Sequence, residues 1–188
     1  MVSSVKDAIA GIVKEIDECL GKVRQESIEQ ALLQISGAKR VFLAGSGRSA
    51  LGIRGFAMRL MHLGMDAHLV RETTTPPICA GDCLIIGSGS GRTPSLAAVA
   101  ERANAISAKI VLFTIDANSP IAAQAHTIVD IPAISPKAQN SPRGKSLQPM
   151  GSLFEQCLFL LLDALVLALM QKNSVTEAEM FRRHANLE

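Results

Sequence analysis

The sequence predicts an α/β fold, a five-stranded parallel sheet flanked by helices in a three-layer αβα sandwich. Three observations predict it. Short apolar runs ending in glycine, "VFLAG" (41–45) and "CLIIG" (83–87), read as strands buried on both faces. Stretches with apolar residues at helical spacing alternate with such runs, which implies parallel pairing through right-handed crossovers. Two similar turns, "GSGRS" and "GSGSGRT", follow the first and third strands.

In chain order, residues 5 to about 35 carry apolar residues at helical spacing, from Val5, Ile9 and Ile12 to Leu32 and Ile35. Strand one is 41–45, and residues 49–63 read as a helix. Ala67–Val70 is a weak second strand, and 83–87 is the third. A helix over 94–106 leads to "KIVLFTI" (109–115), the fourth, and "TIVDIP" (127–132) is the fifth. The last segments, 152–171 and 174–185, are helical. Residues 1–188 thus read as one domain, with helices at about 3–36 and 152–185 packing on the core or on partner subunits. Between the fifth strand and the last helices, residues 132–152 hold four of the eight prolines and three cations without an acid. Such a segment is either a functional lid or a mobile linker.

Composition narrows the function. The chain has 188 residues, 48% hydrophobic and 19% charged, with a net charge of +2. Six Phe and no Tyr or Trp leave few stacking platforms, so no nucleic-acid role is expected. Cys79 and Cys83 lack the partners of a zinc site, and the four cysteines read as buried thiols of a reducing, cytoplasmic compartment. The N-terminus is amphipathic and acidic, unlike a signal peptide. The apolar run Leu153–Met170 contains Glu155 and Asp163, so it is expected in a core or a subunit interface rather than a membrane.

The two turns carry the chemistry. In the strand order 2-1-3-4-5, the flavodoxin-like order, strands one and three are neighbours where the sheet reverses direction, and ligands bind there. Gly45, Ser46, Gly47, Arg48 and Ser49 would form one wall of a crevice, and Ser88, Gly89, Ser90 and Thr93 the other. Glycines admit close backbone approach, and N–H groups at helix starts converge on an anion. Arg48 and Arg92 would add positive charge. Thr93-Pro94 is also an ordinary helix start. A dinucleotide reading of "GSGRSA" with Glu72 leaves the second turn without a task.

At "AGSGRS", "FAMRLMHLG", "ETTTPP", "GSGSGRTPS", "GSLFEQ" and "RRHANLE" the chain resembles the sugar isomerase (SIS) domain family. The resemblance implies interconversion of a 3-hexulose 6-phosphate with fructose 6-phosphate, in the ribulose monophosphate route of formaldehyde fixation. It implies no cofactor or metal, and a homotetramer built as a dimer of dimers. Another aldose–ketose isomerase of the family, such as one for arabinose 5-phosphate, or a non-catalytic sugar-phosphate sensor, would share the motifs. Many members carry Glu where Arg92 stands. The resemblance makes Glu155 the catalytic base, although Ser152-x-x-Glu155 before an apolar run also spells a capping box. It makes His184 the second catalytic group, in its own or a neighbouring subunit. Glu72 is a reserve base, with Thr73 beside it in the pocket, and His62 reads as packing.

Overall fold

A computed structural model describes residues 4–142 and 144–187. Met1 to Ser3, Arg143 and Glu188, the last residue of "RRHANLE", lie outside the described residues. Helix α1 (Val5–Leu20) starts where the Ser4 hydroxyl accepts the Asp7 N–H, and it ends at Gly21. After three more residues α2 (Gln25–Ser36) begins, so the helices over about 3–36 are two.

The sheet contains β1 (Val41–Gly45), β2 (Ala67–Leu69), β3 (Cys83–Gly87), β4 (Lys109–Thr114) and β5 (Thr127–Asp130). All pairs are parallel, in the order β2-β1-β3-β4-β5. Helices α3 (Gly47–His62) and α4 (Pro94–Ala105) are the crossovers, and α5 (Ser152–Asn173) and α6 (Glu177–Arg182) close the chain. Strand β5 stops at 130 rather than 132, because Pro132 has no N–H to extend a ladder. The last helix is shorter than 174–185. Ser174 takes a left-handed conformation (φ 52°) that ends α5, and the capping box of Thr176 and Glu179 starts α6.

The sheet's two faces are unequal. One carries the larger core, from Leu43, Ile85 and Phe113 to Phe56, Phe154 and Leu158, under α1, α2, α3 and α5. The other packs Phe42, Leu84, Ile86 and Leu112 against Leu96 and Ala100 of α4. Helix α5 is long and apolar enough to span a membrane, yet half of that window is buried, and its neighbours are α3, α1 and α2. Cys19, Cys83 and Cys157 are buried, and burial pushes the Cys83 thiol up to about 12. Cys79 is exposed, contrary to the reading of all four as buried.

The proline-rich segment is fastened at two points. Glu15 of α1 accepts the Ser146 hydroxyl at 2.7 Å and the Leu147 N–H at 2.8 Å. Asn140 donates to Asp116, after β4, at 2.6 Å. These contacts make it a tethered cover rather than a linker.

Asp116 and Asp82 are buried carboxylates that join loops. Burial by itself would raise both pKa values. Asp82 is nevertheless held below the ordinary aspartate range by Arg40 at 2.7 Å and the Cys79 N–H. Asp116 is held low by Asn140, the Asn118 N–H and Arg92. A carboxylate whose folded pKa is depressed contributes stability above its unfolded pKa and loses it as pH falls through the folded value. Urea unfolding followed from pH 7 into the acid range should therefore show falling stability, and Asp82→Asn should flatten that limb.

Candidate active site

Glycine-ended strands put the two turns side by side. β1 and β3 pair in register from Val41 opposite Cys83 to Gly45 opposite Gly87. Gly45 does not itself line the crevice. A Cβ there would stand 2.9 Å from the Ala50 Cα, so only glycine lets the chain turn straight into α3. Gly47 takes φ +57° with open space before it, and α3 begins two residues earlier than its expected start at 49.

Beyond the strand tips lies a pocket of ≈ 200 Å³. Ser46, Gly47, Arg48 and Ser49 line one wall, and Ser88, Gly89, Ser90 and Thr93 the other, as the sequence anticipates. Three helix N-termini converge here, those of α3, α4 and α5. Their N-cap residues Ser46, Thr93 and Gly151 make no side-chain capping bond. Of the helices that start elsewhere, α1 and α6 are capped by Ser4 and Thr176, and α2, with Arg24 at its N-cap, is not. The first N–H groups of a helix lack intrahelical partners, so a pocket with three uncapped starts holds a surplus of donors and positive dipole ends. Thr93 occupies the N-cap position but leaves its hydroxyl for the pocket.

Packing of α5 on α3 brings in the carboxylate. Phe159 lies against Gly52 and Gly55, where an added Cβ would come within 3.5 and 3.3 Å of its ring. One turn earlier on α5, Glu155 meets Arg48, one turn earlier on α3. Arg48 Nε donates to Glu155 Oε2 at 2.6 Å. The Glu155 side chain is 18% exposed and lines the pocket. The capping-box reading of Ser152 and Glu155 does not hold: Gly151 is the N-cap, and Glu155 places its backbone N–H on the Gly151 carbonyl.

Four anticipated residues lie elsewhere. Arg92 turns from the pocket to Asp116 at 3.1 Å and ties the loop after β3 to the loop after β4. Glu72 pairs with Arg54 at 2.8 Å, on a groove formed with Met58 and Met61, and Thr73 is exposed in the adjoining turn. His184 stacks on buried His62, ring centroids 5.3 Å apart, in a pocket with Val166 and Met170 of α5. At 1.5 Å rise per residue, those α5 positions lie about 16–22 Å from Glu155. Within one chain, His184 and Glu155 do not share a pocket. His62 packs as expected.

The structure also adds Lys137 and Ser135, from the tethered cover, with Gly87, Leu96, Ile115, Gly151 and Phe154. The excess of cations in 132–152 was the one sequence signal for Lys137.

Comparison with known proteins agrees with this architecture. The SIS domain model matches residues 34–160. The chain is 44% identical over 180 residues to the 3-hexulose-6-phosphate isomerase of Bacillus subtilis (strain 168), covering 96% of this chain and 97% of that one. It is 43% identical over 176 residues to the 3-hexulose-6-phosphate isomerase of Mycobacterium gastri, covering 93% and 86%. The solved structure of a Methanococcus jannaschii protein, with an inferred molecular function of 3-hexulose-6-phosphate isomerase, matches at TM-score 0.83 and 32% identity, covering 97% of this chain and 99% of that one. With the paired turns, the converging helix starts and these matches, the chain belongs to the SIS domain family.

Proposed function

We propose that this chain interconverts D-arabino-hex-3-ulose 6-phosphate and D-fructose 6-phosphate through a cis-enediol. One observation carries the reading: a carboxylate, Glu155, stands beside a cradle of uncapped helix starts and serine hydroxyls. The cradle suits a phosphate dianion, and holding it supplies remote binding energy that fixes the sugar carbons against the carboxylate. Relatives named as 3-hexulose-6-phosphate isomerases match almost the whole chain, which supports this substrate over others.

In the forward direction Glu155 removes the C2 proton of the 3-ulose, leaving a 2,3-enediolate, and returns a proton to C3. A proton passes from O2 to O3, so the carbonyl moves from C3 to C2. Arg48 holds the base by one oxygen, and Lys137 brings a second cation to the rim. The proton between the oxygens falls to His184 of a neighbouring subunit, because its own chain keeps it far from Glu155. Residues 1–188 then act as one SIS domain in a cytoplasmic homotetramer, a dimer of dimers. The exposed apolar side chains Leu51, Met58, Phe159, Leu160 and Leu167 of α3 and α5 supply a contact face for it.

Fructose 6-phosphate incubated in deuterium oxide tests the chemistry by NMR. Deuterium is expected at C3, the carbon a 2,3-enediol exchanges. Incorporation at C1 alone would mark a 1,2-enediol aldose isomerase, and no exchange by bound substrate would leave a sensor.

A further inference from the structure

The sheet face opposite α3 and α5 is covered by one crossover helix, α4. The connection from β2 to β3, residues 70–82, crosses that face without a helix. It leaves a second cavity of ≈ 330 Å³ between itself and α4, sharing no lining residue with the pocket at the strand tips. Phe42 and Leu84 form its floor, Val70 and Val99 stand at its walls, and Arg71 and Arg102 flank it. Among the described residues no Asp or Glu lines it.

The two arginines set this cavity apart. Arg40, Arg48, Arg54 and Arg92 each hold a carboxylate. Among the described residues neither the Arg71 nor the Arg102 side chain, both exposed, has a hydrogen bond or ion pair. Arg71 is moreover held at φ +77°, a left-handed conformation uncommon for a long side chain. The turn that holds it is fastened by the Thr75 hydroxyl on the Leu69 carbonyl at 2.6 Å and the Val70 N–H on the Leu43 carbonyl at 2.9 Å. Apolar walls with a few convergent charged groups are the composition of a small-molecule site. A sugar phosphate does not match it, since its hydroxyls would face hydrocarbon.

We propose that this cavity is a second binding site, for a small aromatic carboxylate or sulfonate. The apolar body lies on Phe42 and Leu84, and the acidic group sits between Arg71 and Arg102. Planar guanidinium groups suit such oxyanions by forked hydrogen bonding.

The probe is 8-anilinonaphthalene-1-sulfonate, titrated by fluorescence into the intact protein with saturating fructose 6-phosphate present. Neutral N-phenyl-1-naphthylamine serves as the uncharged control. One saturable sulfonate site per chain is expected. Arg71→Gly with Arg102→Gln should weaken the sulfonate by about tenfold or more, the loss of two charge contacts, and the neutral probe by less than about twofold. Glycine adopts the left-handed turn freely, so that variant keeps the fold, which circular dichroism checks. Val99→Trp, which fills the cavity, should remove the site for both probes. Absence of a saturable sulfonate site, equal sulfonate affinity in the arginine variant, or binding untouched by Val99→Trp would each overturn the proposal.

Discussion

Glu155→Gln should lower turnover of fructose 6-phosphate by roughly 10²–10⁴-fold, the range of one positioned acid–base group, with sugar-phosphate affinity nearly kept. Glutamine has the shape of glutamate but cannot carry a proton off carbon. The phosphate cradle proposed above uses backbone N–H groups and hydroxyls at 46–49 and 88–93, which line the pocket and which this change leaves in place. It also releases Arg48, which now donates to Glu155 at 2.6 Å, and a freed cation on the pocket wall should not weaken anion binding. Steady-state kinetics with calorimetric titration of the substrate separates the two effects. An unimpaired kcat would reduce Glu155 to a structural partner of Arg48. A matched loss of affinity and rate would place it in binding.

The largest effect on stability is expected from Gly91→Ala. Gly91 has φ +59°, where any Cβ is strained, and its Cβ would stand 1.9 Å from Ser119 Oγ and 2.4 Å from Ser119 Cβ. Ser119 is buried, and its hydroxyl accepts the Ala122 N–H at 3.3 Å, so it cannot swing clear without a loss. Left-handed strain and overpacking together should cost about 2–4 kcal/mol. The loop also carries Ser90, so phosphate binding should fall with stability. Adding Ser119→Gly removes the clash but keeps the strain and takes the acceptor from the Ala122 N–H, so it should recover no more than about 1–2 kcal/mol. Urea denaturation of the single and double variants measures both. A Gly91→Ala protein as stable as the parent would mean that the loop after β3 is not held as described.

Residues with local signatures were legible in the sequence. "VFLAG" and "CLIIG" show burial on both faces by composition, and the alternation of strands with helices dictates parallel order. The two glycine–serine turns therefore met where expected, with Gly45 opposite Gly87. Lys137 was not legible, because an irregular segment has no periodicity to fix where its side chains go. Arg92 was misassigned for a related reason. A glycine loop can turn a cation to either side, and buried Asp116 captured this one.

What the sequence determined by itself is the set of short-range patterns: strands, crossovers, glycine–serine turns and a long apolar helix with one carboxylate near its start. What only the tertiary structure decided is which charged groups share a pocket. Packing of Phe159 on Gly52 and Gly55 delivers Glu155 to Arg48, whereas α6 carries His184 to the far end of α5. Local patterns depend on neighbours a few residues away, whereas pairings such as Arg48 with Glu155 span more than half the chain and exist only once both helices lie on the sheet.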